Sequence, residues 1–186
     1  MKINIDTIVK DNKELIREKS ENVRLPLSDD DKETLMSLYH YVVDSTDPEK
    51  MKKENLRPAV GIAAIQVGIK KKMIAIVIKG EDDKIIYQYA LANPRIVSHS
   101  VEEAYLANGE GCLSVESEHE GYIYRHRRIK VKAYDLLQDK KVIIKASDYL
   151  AIVFQHELDH FNGILFYDHI NKENPFFVKK EAFRIE

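Results

Sequence analysis

The sequence predicts an α+β fold in which antiparallel or mixed β-sheets pack around a central C-terminal helix, with a further helix near the N-terminus. Three observations predict it. A capped segment with helical periodicity begins at Ser28, alternating strand patterns occupy the middle of the chain, and an apolar helical run ends at Gly163. The length of 186 residues fits a single domain over residues 1–186 with a substantial core.

The composition is typical of a soluble globular protein, with 44% hydrophobic and 32% charged residues. No apolar run is long enough to cross a bilayer, and the N-terminus does not have the basic region followed by an apolar segment that is typical of a signal peptide. We therefore expect a cytoplasmic protein without a membrane partner. The net charge of −2 gives no overall basic field. We interpret the basic runs at 70–72 and 125–132 as solvated strand faces, and expect no specific nucleic-acid site.

The first helix is predicted to begin after Ser28, whose side chain can cap it. Aspartates at 29–31 suit the positive end of the helix dipole, and Leu35, Leu38 and Val42 recur at helical spacing. A polar stretch at 44–55 follows, for which no element is predicted. We interpret this first helix as scaffold.

The middle of the chain is predicted to form antiparallel strands. Residues 73–78 are apolar, a loop at 80–83 is typical of a hairpin, and residues 85–91 form the return strand. Pro94 and the turn at 108–111 bracket another extended region. The later strands comprise 129–133, in which apolar residues alternate with lysines, and 141–145, which pairs with it across a turn at 138–139.

The last helix is predicted to begin at Ser147 or Asp148 and to stop at Gly163. At 100° per residue, one side carries Ile152 and Val153 beside two histidines, and the opposite side carries Phe154, Leu158 and Phe161. Both sides are therefore apolar. A helix that is apolar all round is buried, and a metal ion on it would lie in a sheltered cavity of low dielectric constant.

This helix contains the sequence Q-H-E-L-D-H at 155–160. His156 and His160 are one helical turn apart and can bind the same metal ion, while Glu157 can reach a water molecule in an open coordination position. The pattern indicates a metal-dependent hydrolase. The alternative is a core helix with two hydrogen-bonded histidines. Asp159 is expected to project away from His156, at the helix surface or in support of the ligands.

A catalytic centre of this type has three protein ligands and an open position. The metzincin pattern H-E-x-x-H-x-x-G-x-x-H is matched at Gly163 but not at Phe166, which cannot bind metal. Glu181 lies at the spacing of a thermolysin-like third ligand, and His169 would close the site as a fourth ligand unless Gly163 directs it away. Cys112, in a turn with glycine, is the remaining candidate, although it could also be an inert core residue or a nucleophile.

Three motifs in order resemble those of the peptide deformylases. They are Ala-Val-Gly-Ile-Ala-Ala-Ile-Gln at 59–66, Glu-Gly-Cys-Leu-Ser at 110–114 and Gln-His-Glu-Leu-Asp-His at 155–160. The resemblance extends from about Arg57 to His169, and the insert before Arg57 is similar to the longer forms found in Gram-positive bacteria. Ala59 stands where the family has a glycine and Ile65 where many members have proline. Neither position supplies a ligand or a proton.

The resemblance implies hydrolytic removal of the formyl group from the N-terminal formyl-methionine of newly synthesised polypeptides, with release of formate. Glu157 would act as general base and then as general acid. The side chain of Gln66 and the backbone N–H of Leu113 would donate to the developing oxyanion. The implied metal ligands are Cys112, His156 and His160. The implied substrate-binding residues are Val60, Gly61, Gly111, Ile152 and Val153.

The ligand set of one cysteine and two histidines suits zinc, whereas the resemblance implies Fe(II) as the native ion, with zinc, nickel or cobalt in purified protein. We expect a monomer that acts on formyl-methionyl nascent peptides and meets the ribosome transiently. Two alternatives remain open at this point: a metallopeptidase that cuts internal bonds and a non-catalytic binding module stabilised by metal.

Overall fold

A computed structural model describes all 186 residues and contains two β-sheets and three α-helices. The helices are α1 (Asp29–Asp44), α2 (Pro48–Glu54) and α3 (Asp148–Asp159). The strands are β1 (Gly61–Ala63), β2 (Met73–Lys79), β3 (Ile85–His99), β4 (Glu103–Leu106), β5 (Arg125–His126), β6 (Arg128–Asp135), β7 (Lys140–Ser147) and β8 (Phe183–Ile185). The α+β class is confirmed.

The larger sheet is antiparallel throughout, with the strand order β1-β2-β3-β6-β7. The smaller sheet has the order β5-β4-β8, and β4 pairs with β8 in parallel. In β6 the apolar residues Ile129, Val131 and Ala133 are buried, while Lys130 and Lys132 are exposed. The predicted alternation and the predicted pairing of β6 with β7 are therefore confirmed.

Helix α1 packs mainly against β2 and β3 on one face of the larger sheet. It begins as predicted, because the Oγ of Ser28 accepts a hydrogen bond of 3.2 Å from the backbone N–H of Asp31. Leu35, Leu38 and Val42 are fully buried in the cluster that joins α1 to the sheet. The periodicity read from the sequence thus marks the face that this helix buries.

Helix α3 lies against the other face of the larger sheet and also contacts β4 and β5 of the smaller one. Ile152, Val153 and Phe154 are all buried, so the helix is apolar all round as predicted. A short 3₁₀ turn, His160–Asn162, extends it to Gly163, whose φ of +68° is in the left-handed region that glycine favours. The two sheets therefore position a buried central helix.

Two details differ from the sequence prediction. Residues 48–54 form α2, because the side chain of Asp47 caps the two following N–H groups and Pro48 occupies the first turn, where no donor is needed. Pro94 does not begin a new segment but lies within β3. The pairing register of β3 shifts between Ala92 and Arg95, which accommodates a residue that cannot donate to the ladder.

None of the helices combines the length and apolar character that crossing a membrane would require.

Candidate active site

One face of α3 and the turn before Leu113 bring three metal-binding side chains together. The ring of His156 projects from the last turn of α3 and that of His160 from the 3₁₀ turn that extends it, with centroids 5.3 Å apart. The Sγ of Cys112 lies 3.5 Å from the Nε2 of His160. One donor atom from each of the three side chains lies within 4.8 Å of the other two. The side chain that lies with the two histidines is therefore Cys112, and neither Glu181 nor His169 belongs to the cluster.

This geometry fits a divalent metal ion. A tetrahedral ion with bonds of about 2.3 Å to sulfur and about 2.1 Å to nitrogen would hold those two atoms about 3.6 Å apart, which agrees with the 3.5 Å between Cys112 Sγ and His160 Nε2. Burial raises the pKa of the Cys112 thiol, but His160 and His156 outweigh burial and bring the pKa well below its usual value. The thiolate, which is the metal-binding form, is therefore favoured.

Glu157 lies beside these ligands and is only 4% exposed. Burial raises the pKa of its carboxyl group to about 7, close to the value that suits a general base at neutral pH. Its Oε2 atom is buried and has no hydrogen-bond partner within the chain. A buried, unpaired carboxylate oxygen is costly in a purely structural role, so its position favours a group that receives a proton during a reaction.

Gly61 of β1 allows Glu157 to occupy this position. A Cβ atom added to Gly61 would lie 2.5 Å from Oε1 of Glu157, which is closer than real Cβ contacts allow. The glycine of the first motif is thus needed for the close approach of strand and carboxylate. Gly111 differs, because an added Cβ there would meet no atom within 4 Å.

Gln66 and Leu113 provide hydrogen-bond donors near the ligands. The Gln66 side chain is buried, and its Nε2 donates to the Sγ of Cys112 at 3.4 Å and to the Oγ of Ser114 at 3.2 Å. Its Oε1 accepts from the N–H of Ala63 at 2.9 Å, which fixes the orientation of the amide. The backbone N–H of Leu113 donates to no other group of the chain. The Leu113 N–H is therefore free to serve a substrate oxygen, whereas one N–H of Gln66 would have to leave Cys112 or Ser114 to do so.

Glu110 and Arg125 support His156, and the sequence reasoning missed both roles. Glu110 Oε2 lies 2.8 Å from the Nδ1 of His156, while Arg125 donates to the two Glu110 oxygens at 2.5 and 2.9 Å. Burial raises the pKa of Glu110, but the hydrogen bonds from His156 and Arg125 outweigh it and lower the pKa to about 2. The ionised carboxylate fixes the ring so that Nε2 is left for the metal.

Arg125 is a correction to the sequence interpretation. It belongs to the basic run at 125–132, which was expected to be a solvated strand face, but only 6% of the residue is exposed. The burial is explained by its two carboxylate partners, Glu110 and Asp159, which neutralise the guanidinium. For Glu110, its place in the second motif was a sequence signal that could have indicated a role in the site. For Arg125 the sequence offered no such signal.

Asp159 supports His156 indirectly, because it shares Arg125 with Glu110, the carboxylate that contacts the His156 ring. Its Oδ2 accepts from Arg125 at 2.9 Å and lies 2.7 Å from the Nε2 of His169. His169 is therefore joined to Asp159 and lies outside the cluster of metal-binding atoms. Phe166, at the position of the metzincin ligand, stacks on His156 with ring centroids 6.2 Å apart.

A cavity of about 360 Å³ opens onto Cys112, His156 and Glu157. Its lining includes the five residues assigned to the substrate, namely Val60, Gly61, Gly111, Ile152 and Val153. Arg57, Leu106 and Tyr149 also line it, although no motif had singled them out. A larger cavity, of about 450 Å³, lies beside Asp159 and His169 but contains none of the metal-binding side chains. A third cavity, of about 490 Å³, reaches Cys112 but neither His156 nor Glu157. The cavity of about 360 Å³, which all three of these residues line, is therefore the candidate active site.

A site with one cysteine, two histidines and a buried glutamate, placed on a central helix between two sheets, defines a metal-dependent hydrolase. The chain matches the family model described as polypeptide deformylase over residues 5–176. It belongs to the polypeptide deformylase family. Its enzyme class and reaction are therefore those that the resemblance implied: hydrolytic removal of the N-formyl group from newly synthesised polypeptides.

Similar proteins agree with this assignment. The chain is 48% identical to peptide deformylase 2 of Bacillus subtilis (strain 168) over 99% of both chains. It is 46% identical to the peptide deformylase of Lacticaseibacillus casei (strain BL23) over 94% of this chain and 95% of the relative. Among solved structures, peptide deformylase from Ehrlichia chaffeensis superimposes with a TM-score of 0.71 at 31% identity, covering 93% of this chain and 90% of that one. The Bacillus and Lacticaseibacillus relatives are from Gram-positive bacteria, as the resemblance to the longer forms predicted.

Proposed function

We propose that residues 1–186 form one catalytic domain in which Cys112, His156 and His160 hold a divalent metal ion and Glu157 transfers the proton of the deformylation reaction. A single observation carries this proposal: the metal-binding atoms of Cys112, His156 and His160 lie close together, and two of these side chains line one cavity with the buried carboxylate of Glu157. A metallopeptidase for internal bonds is disfavoured, because Phe166 replaces its third ligand. A closed structural site is disfavoured because it would need four protein ligands, and the cluster contains only three metal-binding side chains.

When bound, the metal ion supplies a Lewis acid that lowers the pKa of water and polarises the formyl carbonyl group. We propose Fe(II) as the native ion. The thiolate and imidazole donors also suit zinc, so protein purified in air is expected to contain zinc, nickel or cobalt. Glu110 would keep the His156 ring in its binding orientation through the hydrogen bond to Nδ1.

Glu157 would accept a proton from the water molecule that attacks the formyl carbon. As the bond between that carbon and the methionine nitrogen breaks, Glu157 would return the proton to the departing nitrogen. The products are formate and a peptide with a free amino group, so water supplies the oxygen gained by formate and the hydrogen gained by the amine. The unpaired Oε2 of Glu157 supports this role, since it has no competing structural bond.

The oxyanion that develops on the formyl group needs hydrogen-bond donors in fixed positions. Gln66 can donate through Nε2 and Leu113 through its backbone N–H. The bond from the N–H of Ala63 to Oε1 of Gln66 holds the amide so that its Nε2 is directed at Cys112 and Ser114. Loss of one such donor typically lowers the rate about 100-fold or more.

The cavity would hold the formyl-methionine. Val60, Ile152 and Val153 form an apolar lining suited to a thioether side chain, and Gly61 and Gly111 leave room for an extended peptide. The deformylase from Acinetobacter baumannii has been solved with Met-Ala-Ser bound; it superimposes with a TM-score of 0.70 at 30% identity over 91% of this chain and all of that one. We propose a cytoplasmic monomer that meets the ribosome transiently, because its substrates are nascent chains.

The test is formate release from formyl-Met-Ala-Ser by protein prepared anaerobically with Fe(II), with the Ni(II) form as a robust parallel. Glu157→Gln keeps the shape of the side chain but cannot accept the proton. It should retain equimolar metal and lose at least about 100-fold in kcat. Glu181→Gln, which alters an exposed carboxylate of the C-terminal segment, should keep the wild-type rate. Metal-loaded wild type that releases no formate, or an active Glu157→Gln variant, would contradict the proposal.

A further inference from the structure

A basic face lies on the larger sheet, on the side opposite α3. It consists of exposed cationic residues on β3, β6 and β7. Its members are Arg95, Lys130, Lys132, Lys141 and Lys145. Helix α1 packs mainly against the β2 and β3 end of this side, so the β6 and β7 end is left to solvent.

The charges of the basic face stand directly opposite one another. Lys130 pairs in register with Lys145 across β6 and β7, and Arg95 pairs with Lys132 across β3 and β6. Neighbouring strands are only about 4.8 Å apart, and like charges at directly opposite positions destabilise a sheet. The sheet therefore has two destabilising pairs of like charges on one surface. A contribution to the stability of the fold does not explain their presence.

No carboxylate of the chain neutralises this face. All of its members lack an ion pair, whereas the neighbouring Arg127 and Arg128 at the edge both pair with Glu102. The whole chain has 29 basic and 31 acidic residues, so the basic face is a local separation of charge within a slightly acidic molecule. Such a surface attracts a polyanion.

A groove of about 400 Å³ continues the basic face between β3 and β7. Lys130 and Lys145 line it together with Arg128, and the hydroxyl-bearing residues Ser98 and Ser147 lie beside them. No carboxylate-bearing residue lines this groove. Lysine, arginine and serine side chains are common partners of phosphate oxygens in nucleic acids.

We propose that the basic face binds the phosphate backbone of RNA and holds the enzyme at the ribosome, where its substrates are made. The inference rests on the proposed function only in naming the ribosome as the source of this RNA. An anionic membrane fits less well, because a surface that enters lipid needs a broad apolar contact. The exposed large apolar side chains near the basic residues are single ones, Ile143 on β7 and Val97 on β3, whereas the others on β3 lie at the end that pairs with β2.

An enzyme bound to RNA through the basic face could still act on its substrate, because of the way the sheet is oriented. Ile129 and Val131, which alternate with the lysines of β6, pack in the same core cluster as Val153 and Phe154 of α3. The lysines therefore point away from α3, because successive side chains of a strand point to opposite faces. RNA bound to the basic face would leave the cavity near Cys112 open to a peptide.

The double variant Lys130→Gln/Lys145→Gln tests this proposal. Removing a like-charged pair should leave the melting temperature unchanged or raised. The matched control is Lys52→Gln/Lys53→Gln on α2, which removes the same charge from exposed lysines that form no ion pair. Metal-loaded full-length proteins are titrated with large ribosomal subunits and with protein-free ribosomal RNA. Turnover of free formyl-Met-Ala-Ser is measured in parallel and should be equal in all three proteins.

Each phosphate contact contributes roughly 0.7–0.9 to the slope of log affinity against log salt. Raising salt fourfold, from about 50 to about 200 mM, should therefore weaken RNA binding by wild type about tenfold more than binding by the Lys130/Lys145 variant. Equal binding by that variant and wild type, or an equal loss in the Lys52/Lys53 control, would overturn the proposal. Binding to anionic vesicles without binding to RNA would also overturn it. Failure of the proposed function would appear separately, as absent turnover of the free peptide.

Discussion

Glu157 and Gly61 form the residue pair on which the proposed proton transfer depends. A carboxylate in water would be ionised and hydrogen-bonded, but burial gives Glu157 a pKa of about 7 and leaves Oε2 without a partner. That arrangement is kept by the absence of a side chain at Gly61, where an added Cβ would be 2.5 Å from Oε1. A backbone position thus determines where a proton acceptor lies.

Gly61→Ala should displace the Glu157 carboxylate and lower kcat about 100-fold, since a shift of about 1 Å in a catalytic group can cost that much. Metal content should stay equimolar, because the three atoms nearest to an added Cβ all belong to the Glu157 side chain and none to a proposed ligand. Gly111→Ala is the matched control: it adds a methyl group to the same cavity without a clash. It should raise KM for formyl-Met-Ala-Ser and keep most of kcat. A Gly61→Ala enzyme with wild-type kcat would refute this account of the glycine.

At the scale of elements, Arg125 connects β5, the turn that carries Cys112 and the helix α3. Its guanidinium binds Glu110 on one side and Asp159 on the other, and the side chains of Arg125 and Glu110 are each only 5% exposed. A buried ion pair gains little over apolar packing, but removing one partner leaves an uncompensated charge. The network therefore orders the elements around His156.

Arg125→Met should lower the free energy of unfolding by about 3–5 kcal/mol, because the Glu110 carboxylate loses its neutralising partner. It should also weaken metal binding, by about 10–100-fold, since His156 loses an oriented hydrogen-bond partner. Urea unfolding and competition with a chelator measure the two effects. Arg127→Met, which alters a more exposed arginine two residues away, should have a small effect on both. Equal effects of the two substitutions would argue against the network.

At the end of α3, Gly163 provides a second contact between distant parts of the chain. Gly163 has a φ of +68°, and an added Cβ would lie 2.0 Å from the backbone oxygen of Arg17. Arg17 in turn donates a hydrogen bond of 3.1 Å to the Gly163 oxygen. The N-terminal segment and the end of the metal-binding helix are therefore packed backbone against backbone.

Gly163→Ala should destabilise the protein by at least about 2 kcal/mol, because it combines left-handed strain with overpacking. For a chain of this size, that corresponds to a fall in melting temperature of about 4–8 °C. Gly80→Ala is the control, since it lies in a hairpin loop where the nearest atom to an added Cβ is 3.4 Å away. An unchanged melting temperature for Gly163→Ala would show that the Arg17 segment moves freely.

At the scale of the whole molecule, the site joins parts of the chain that are far apart in sequence. The glycine strand β1, the Cys112 turn and α3 meet only when both sheets have formed around the central helix. A metal ion that binds this arrangement, and not the unfolded chain, adds its binding free energy to the stability of the fold. The metal site is thus coupled to folding as well as to the reaction.

Removal of the metal with a chelator should abolish formate release and lower the melting temperature. Free metal at about 100 times its dissociation constant stabilises a protein by about 2.7 kcal/mol, equivalent to about 5–11 °C for this size. Ni(II) added back should restore both properties. The Cys112→Ala variant is the control, because its melting temperature should respond much less to the chelator. If the chelator left the melting temperature of the wild type unchanged, metal binding would not contribute to the stability of the fold.

The sequence by itself determined the parts that depend on local spacing. Helical periodicity and the Ser28 cap located α1, alternation located β6, and one turn of helix between His156 and His160 indicated a metal-binding pair. The three motifs then indicated Cys112 and the family. These features could be read because side-chain direction repeats with a fixed period within one helix or strand.

Only the tertiary structure decided which distant groups meet. It placed Arg125 in the core beside Glu110, although the run that contains it has the composition of a solvated strand. It also extended β3 through Pro94 and placed Arg95 of β3 opposite Lys132 of β6. Burial and pairing partners depend on how strands and helices pack, and sequence spacing within one element carries no information about its neighbours.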